Sequence, residues 1–156
     1  MDKDSAYQNI ITSLDSLIGN NDGKYSLDDT GKMAMICWAV KHHFPHLLFV
    51  GFYRVTETDL LTIGPYQGDV MPCGTIPFGK GVCGAAAEKG ETIIVNDVSK
   101  FLNYISCDLD TKSEIVVPVV RNGKVTAVLD LDSVEMGWFG ETDKQSLESI
   151  IQKKFI

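Results

Sequence analysis

The chain has no long apolar run, no basic cluster, no CxxC cysteine pair and only three histidines. The apolar runs are too short for a bilayer-spanning helix, so no membrane association is expected. Lys and Arg are scattered through a chain of net charge -7, which argues against nucleic acid as a partner, because phosphate binding needs clustered cations. The start, "MDKDSAYQN", lacks the apolar core of a signal peptide, and the expected location is cytoplasmic. Thiols there are kept reduced, so Cys37, Cys73, Cys83 and Cys107 are not a secreted disulfide framework. The histidines sit together at 42, 43 and 46, apart from Cys73, Cys83 and Cys107, and this spacing predicts no metal site.

What is present is an ordinary globular composition, 44% apolar and 22% charged, on 156 residues, enough for one domain with a real core. Ala6–Ile18 reads as an amphipathic helix with Ile10, Ile11, Leu14, Leu17 and Ile18 on one face. "NNDGKYS" reads as a loop. Ser26 and Asp29 mark the start of a second helix that runs to about His43 and breaks before Pro45. Cys37 within it reads as a small buried hydrophobe. "LLFVGFYRV" and "LLTIGPY" read as a hairpin around "TETD". The Gly- and Pro-rich stretch that follows stays irregular until a short helix near Val82–Glu88. "TIIVNDV" is a further strand, and "SKFLNYISCDLDTKS" a long loop or a loop with one helical turn. A second hairpin, "EIVVPVV-RNG-KVTAVLDLD", precedes a last helix from about Thr142 with a Thr142/Gln145 capping box. Helices at both ends of an antiparallel sheet make the fold α+β, one domain over 1–156. It divides into N-terminal helices (1–45), sheet and loops (46–134) and a C-terminal helix (141–156).

The register of the second hairpin has chemical consequences. A two-residue Asn122-Gly123 turn would place Glu114 opposite Leu131, whereas a three-residue loop pairs Val120 with Lys124 and Glu114 with Asp130. In the three-residue register one face is wholly apolar: Ile115, Val117, Val119, Val125, Ala127, Leu129 and Leu131. Since a one-residue slip flips every side chain, the hydrophobic pattern selects that register. Glu114, Asp130 and Asp132 then converge on one face. That face reads either as a solvated acidic surface or, because Val116, Pro118, Val120 and Val128 share it, as a covered one. Covered carboxylates have raised pKa values, suited to proton donation or cation binding.

Three cysteines lie near this cluster. Cys107 is seven residues before Glu114, in the loop feeding the acidic strand. Cys73 and Cys83 flank "GTIPFGKGV", which leads into the short helix, where a thiolate is favoured by free N–H groups. "GKGVCG" formally matches GxGxxG, but no clean buried strand precedes it, and no dinucleotide or other cofactor is expected. Loop thiols beside acids fit redox chemistry better than acyl transfer, for no histidine stands well placed as a base.

These residues carry a resemblance. "IPFGKGVCGAAAEKGETIIVNDV" resembles the signature of GAF domains. "ISCDLDTKSEIVVPVV", "GKVTAVLDLDS" and "FGETD", with "VGFYRV" and "GPYQG", resemble the free methionine-(R)-sulfoxide reductases, a GAF branch acting on the free amino acid. The likeness covers about Leu47–Ile151. It implies a GAF-like fold, with the terminal helices on one side of the sheet and loops over a small-ligand pocket on the other. It also implies that Cys107 attacks the sulfoxide sulfur and becomes a sulfenic acid, that Cys73 resolves it as a disulfide, and that Cys83 is an alternative partner. Thioredoxin would restore the dithiol. Glu114, Asp130 and Asp132 would hold the substrate and polarise its oxygen, with Tyr53 lining the pocket. Phe49 stands where many members have Trp against the substrate methyl group. The rival expectation is a non-catalytic GAF sensor of a small molecule, although a cyclic nucleotide would be repelled by the three acids. The terminal helices are candidates for a homodimer interface.

Overall fold

The computed structural model describes residues 2–18 and 26–156. Its helices are α1 (Lys3–Ile18), α2 (Asp29–His43), α3 (Gly81–Lys89) and α4 (Glu141–Phe155). Its strands are β1 (Phe49–Glu57), β2 (Leu60–Gly68), β3 (Thr75–Pro77), β4 (Ile93–Val95), β5 (Ser113–Arg121) and β6 (Lys124–Ser133). A 3₁₀ turn at Val98–Lys100 interrupts the long loop between β4 and β5. The strands form one antiparallel sheet in the order β3-β2-β1-β6-β5-β4. The edge strand β3 lies in the stretch expected to be irregular; its three residues are too few for a periodic pattern, and pairing with Leu60–Thr62 creates it. Among the described residues no helix is long and apolar enough to cross a membrane.

The terminal helices cover one sheet face. Tyr7, Ile10, Leu14 and Ile18 of α1 and Leu147, Ile150, Ile151 and Phe155 of α4 are buried in one cluster. They pack there with Ile36 and Val40 of α2 and with Phe52, Ile115, Val117, Leu129 and Leu131 of the sheet. Leu17, expected on the apolar face of α1, is exposed instead. Cys37 is buried in this core, as its small apolar character predicts, and its Sγ donates to the Pro65 carbonyl. The loop expected over residues 20–26 lies almost wholly outside the described residues.

Two helix starts differ from expectation. The cap of α2 is Asp28, whose carboxylate accepts from the Gly31 N–H at 2.8 Å, and not Ser26. For α4 the start is Gly140, with Asp143 accepting from the Gly140 N–H at 2.8 Å, in place of the Thr142/Gln145 box. Asp143 is held there by long-range bonds from Lys3 and from the Tyr7 hydroxyl, which local sequence does not reveal.

The β5–β6 hairpin is also corrected. Arg121 pairs with Lys124 across a two-residue turn, with Asn122 and Gly123 both at positive φ (52° and 74°). That is the turn whose twist matches the flanking strands. The extra residue lies farther along: Val120 pairs with Val125 but Val119 with Ala127, leaving Thr126 as a bulge whose hydroxyl donates to the Val119 carbonyl at 3.3 Å. A bulge changes face parity just as a longer turn would. Glu114 therefore pairs with Asp132, and Val116 with Asp130. The acids still share one face, but Val125, lying before the bulge, packs with the second cluster and not with the helices.

That second face is covered as well. Phe49, Tyr53, Val116 and Val128 pack with Ile76, with Val82, Cys83, Ala86 and Ala87 of α3, and with Val98. The solvated-face reading of the acidic strand pair is thus excluded by packing.

Candidate active site

Cross-strand pairing builds the floor of the site. Asp132 stands between Phe49 of β1 and Glu114 of β5, and Asp130 stands between Gly51 and Val116. Side chains opposite one another on a pleated face lie within about 5.5 Å, so the three acids form one group. Gly51 adds no side chain beside Asp130. A Cβ there would run into the Phe49 ring and come within 2.7 Å of the Tyr66 Cβ. The missing side chain lets Phe49 fold flat along β1 and stack on Tyr66 at 5.6 Å. Gly51 is a site residue the sequence reading missed; its signal was a glycine inside a strand pattern.

The walls come from α3 and the 101–112 loop. Cys83 sits in the first turn of α3 and is buried, with its Sγ 3.9 Å from Glu114 Oε1. The Gly81 N–H donates to the Asn103 carbonyl at 3.0 Å, tying the start of α3 to the loop. Within that loop the Asp108 carboxylate accepts from the Asp110 and Thr111 N–H groups and the Thr111 hydroxyl, each at 2.8 Å. This clamp sets the loop around Cys107. Its Asp-x-x-Thr pattern is a turn-capping motif legible in the sequence.

The result is a pocket that opens to solvent. Phe49, Tyr53, Cys83, Cys107, Glu114, Asp130 and Asp132, seven of the eight site residues expected from the sequence, line it, with Tyr104 and Asp108 added. Its lining contains no Lys, Arg or His. The eighth, Cys73, is joined to Cys107 by a disulfide, with Cα atoms 5.3 Å apart. Cys107 is exposed and Cys73 half-buried, so the bond is at the surface, whereas Cys83 is a buried free thiol.

Burial without counter-charge dominates the electrostatics. It pushes the Glu114 carboxyl far above the usual carboxylate range, aided by repulsion from Asp130 and Asp132. Asp132 is raised by burial and then by Asp130 and Asp108. Asp130 is pushed up to about 7 by burial, its rise limited by hydrogen bonding with Glu114 and Cys83. One oxygen each of Asp130 and Asp132, Oδ1, has no hydrogen-bond partner. Burial and then the acids also hold the Cys83 thiol protonated and raise the Tyr53 and Tyr104 phenols. The pocket thus holds at least one protonated carboxyl beside one that ionises near neutrality, and it has acceptors free for a cationic or hydrogen-bonding guest.

The model of the GAF domain family matches residues 26–152. A Saccharomyces cerevisiae protein described as a free methionine-R-sulfoxide reductase is 37% identical over 96% of this chain and 84% of its own. The free methionine-R-sulfoxide reductase of Neisseria meningitidis, solved with its substrate, superposes with a TM-score of 0.88 at 35% identity, over 97% of this chain and 87% of that one. The fRMsr of Staphylococcus aureus in its reduced form gives 0.84 at 35% identity, over 94% and 90%. With this pocket, this sheet and these relatives, the chain belongs to the GAF domain family and, within it, to the free methionine-R-sulfoxide reductases.

Proposed function

We propose that this protein reduces free methionine-(R)-sulfoxide to methionine through Cys107. The observation that carries this reading is one juxtaposition: Cys107 borders the pocket floored by Glu114, Asp130 and Asp132, and its sulfur is bonded to Cys73.

In the reduced enzyme the Cys107 thiolate attacks the sulfoxide sulfur while a protonated carboxyl of the cluster gives a proton to the oxygen. The oxygen passes to Cys107 as a sulfenic acid and methionine departs. The cysteine sulfur loses two electrons and the sulfoxide sulfur gains them. Cys73 then attacks the sulfenic sulfur, water leaves, and the Cys73–Cys107 disulfide closes before further oxidation can occur. Thioredoxin supplies the two electrons that reopen it, in the reducing cytoplasm the sequence leads us to expect. An ionised carboxylate of the same cluster meets the substrate ammonium, the charge partner a free amino acid brings and a protein-bound residue lacks. Phe49 and Tyr53 offer an apolar wall to the methyl group.

The test is NADPH oxidation coupled through thioredoxin reductase and thioredoxin. Turnover is expected with the free R epimer and not with the S epimer, and is expected to vanish in Cys107→Ser. Equal rates for both epimers, or full activity in the variant, would overturn the proposal.

A further inference from the structure

We infer that the buried trio Cys83, Glu114 and Asp130 is a binding site for a thiophilic divalent cation, zinc above all, which enters through the pocket. One ligand atom from each residue lies within 4.8 Å of the others, and Cys83 Sγ is 3.9 Å from Glu114 Oε1. Zinc bonds of about 2.0–2.3 Å place ligands about 3.5 Å apart around a tetrahedron, so small side-chain rotations close the set.

A second, independent feature points to a guest. Asp130 is 5% exposed, lines the pocket, and its Oδ1 has no hydrogen-bond partner. Leaving such an atom buried is costly, and a cation is the partner this environment lacks, because the lining has no basic side chain. One sulfur and two carboxylates make a small, partly soft donor set. That suits zinc or cobalt, whereas calcium and magnesium require more oxygen ligands. On binding, the Cys83 S–H bond breaks, its proton leaves to solvent and a metal–sulfur bond forms, with no change in oxidation state. The metal would sit on the acids proposed to hold the substrate, and so would exclude it.

The disulfide form of the protein is the one to use, since Cys73 and Cys107 then cannot compete for metal. Titration with Zn²⁺ should saturate at one ion per chain, and Co²⁺ should give a thiolate-to-cobalt charge-transfer absorption. Cys83→Ala should abolish that absorption and weaken Zn²⁺ by at least about tenfold, as loss of a ligand requires. Cys37→Ala, whose sulfur lies across the sheet, should change neither. Absence of saturable binding to the wild-type disulfide form, or cobalt binding without the thiolate absorption, would overturn the inference without needing any variant to fold. Because direct binding is read, failure here is distinct from failure of the reductase reading, which coupled turnover in the presence of a chelator decides.

Discussion

Replacing Asp130 with Asn should remove the share of a pH-dependent loss of stability that this one carboxyl contributes. The native carboxyl is pushed up to about 7 from its ordinary value of 3.8, so the folded state binds a proton more tightly than the unfolded chain. A raised folded pKa contributes stability that is complete below about pH 4 and is lost as pH rises to 7. A shift of about three units at about 1.4 kcal/mol each gives roughly 4 kcal/mol at pH 8. Asp15 and Asp29, whose pKa values their ion pairs lower, act in the opposite sense at acid pH and are common to both proteins. Glu114 and Asp132, raised in the same sense as Asp130, also remain in both proteins, so the difference between wild type and Asp130→Asn isolates the Asp130 contribution. The variant should match the wild type near pH 4 and exceed it at pH 8 by up to about 4 kcal/mol, or about 8–16 °C in Tm for a chain of this size. Urea and thermal unfolding of the disulfide-intact proteins at pH 4, 6 and 8 provide the comparison. A constant difference across that range, or a variant that is less stable at pH 8, would refute the electrostatic reading of the pocket.

Cys73→Ser should yield a burst of roughly one methionine per chain and then stop, because the sulfenic acid is left without its resolving thiol; sustained turnover would show that Cys83 can replace it. Gly51→Ala drives a methyl group against Phe49 and Tyr66, and should cost about 1–3 kcal/mol in unfolding experiments and raise KM. Retention of wild-type stability and KM would remove Gly51 from the site. Arg121→Ala removes bonds to both Asp29 oxygens (2.5 and 3.0 Å) and to the Phe155 carbonyl (2.7 Å). Partial exposure limits the cost to about 1–2 kcal/mol, with kcat unchanged.

Much of this protein follows from sequence alone, because periodicity and composition report which side chains must leave water. The runs around Leu14, Val50, Val117 and Leu129 specify two hairpins and flanking helices, and alternation in "VLDLDS" puts both aspartates on one side of a strand. Even the convergence of Glu114 with them was legible, since only one parity yields an apolar face. How that parity arises was not. Turn geometry and bulge placement depend on packing many residues away, so the added residue is Thr126 within the strand and not a third residue in the turn. The cap at Asp143, held by Lys3 and Tyr7, and the short strand β3 likewise rest on distant partners that local sequence leaves unnamed. Tertiary structure alone closed the acidic face, carrying α3 and the 101–112 loop over it and displacing water from three carboxylates. That enclosure turns a strand of acids into a site whose protons and free acceptors can do chemistry, because charge becomes costly only where water has been excluded.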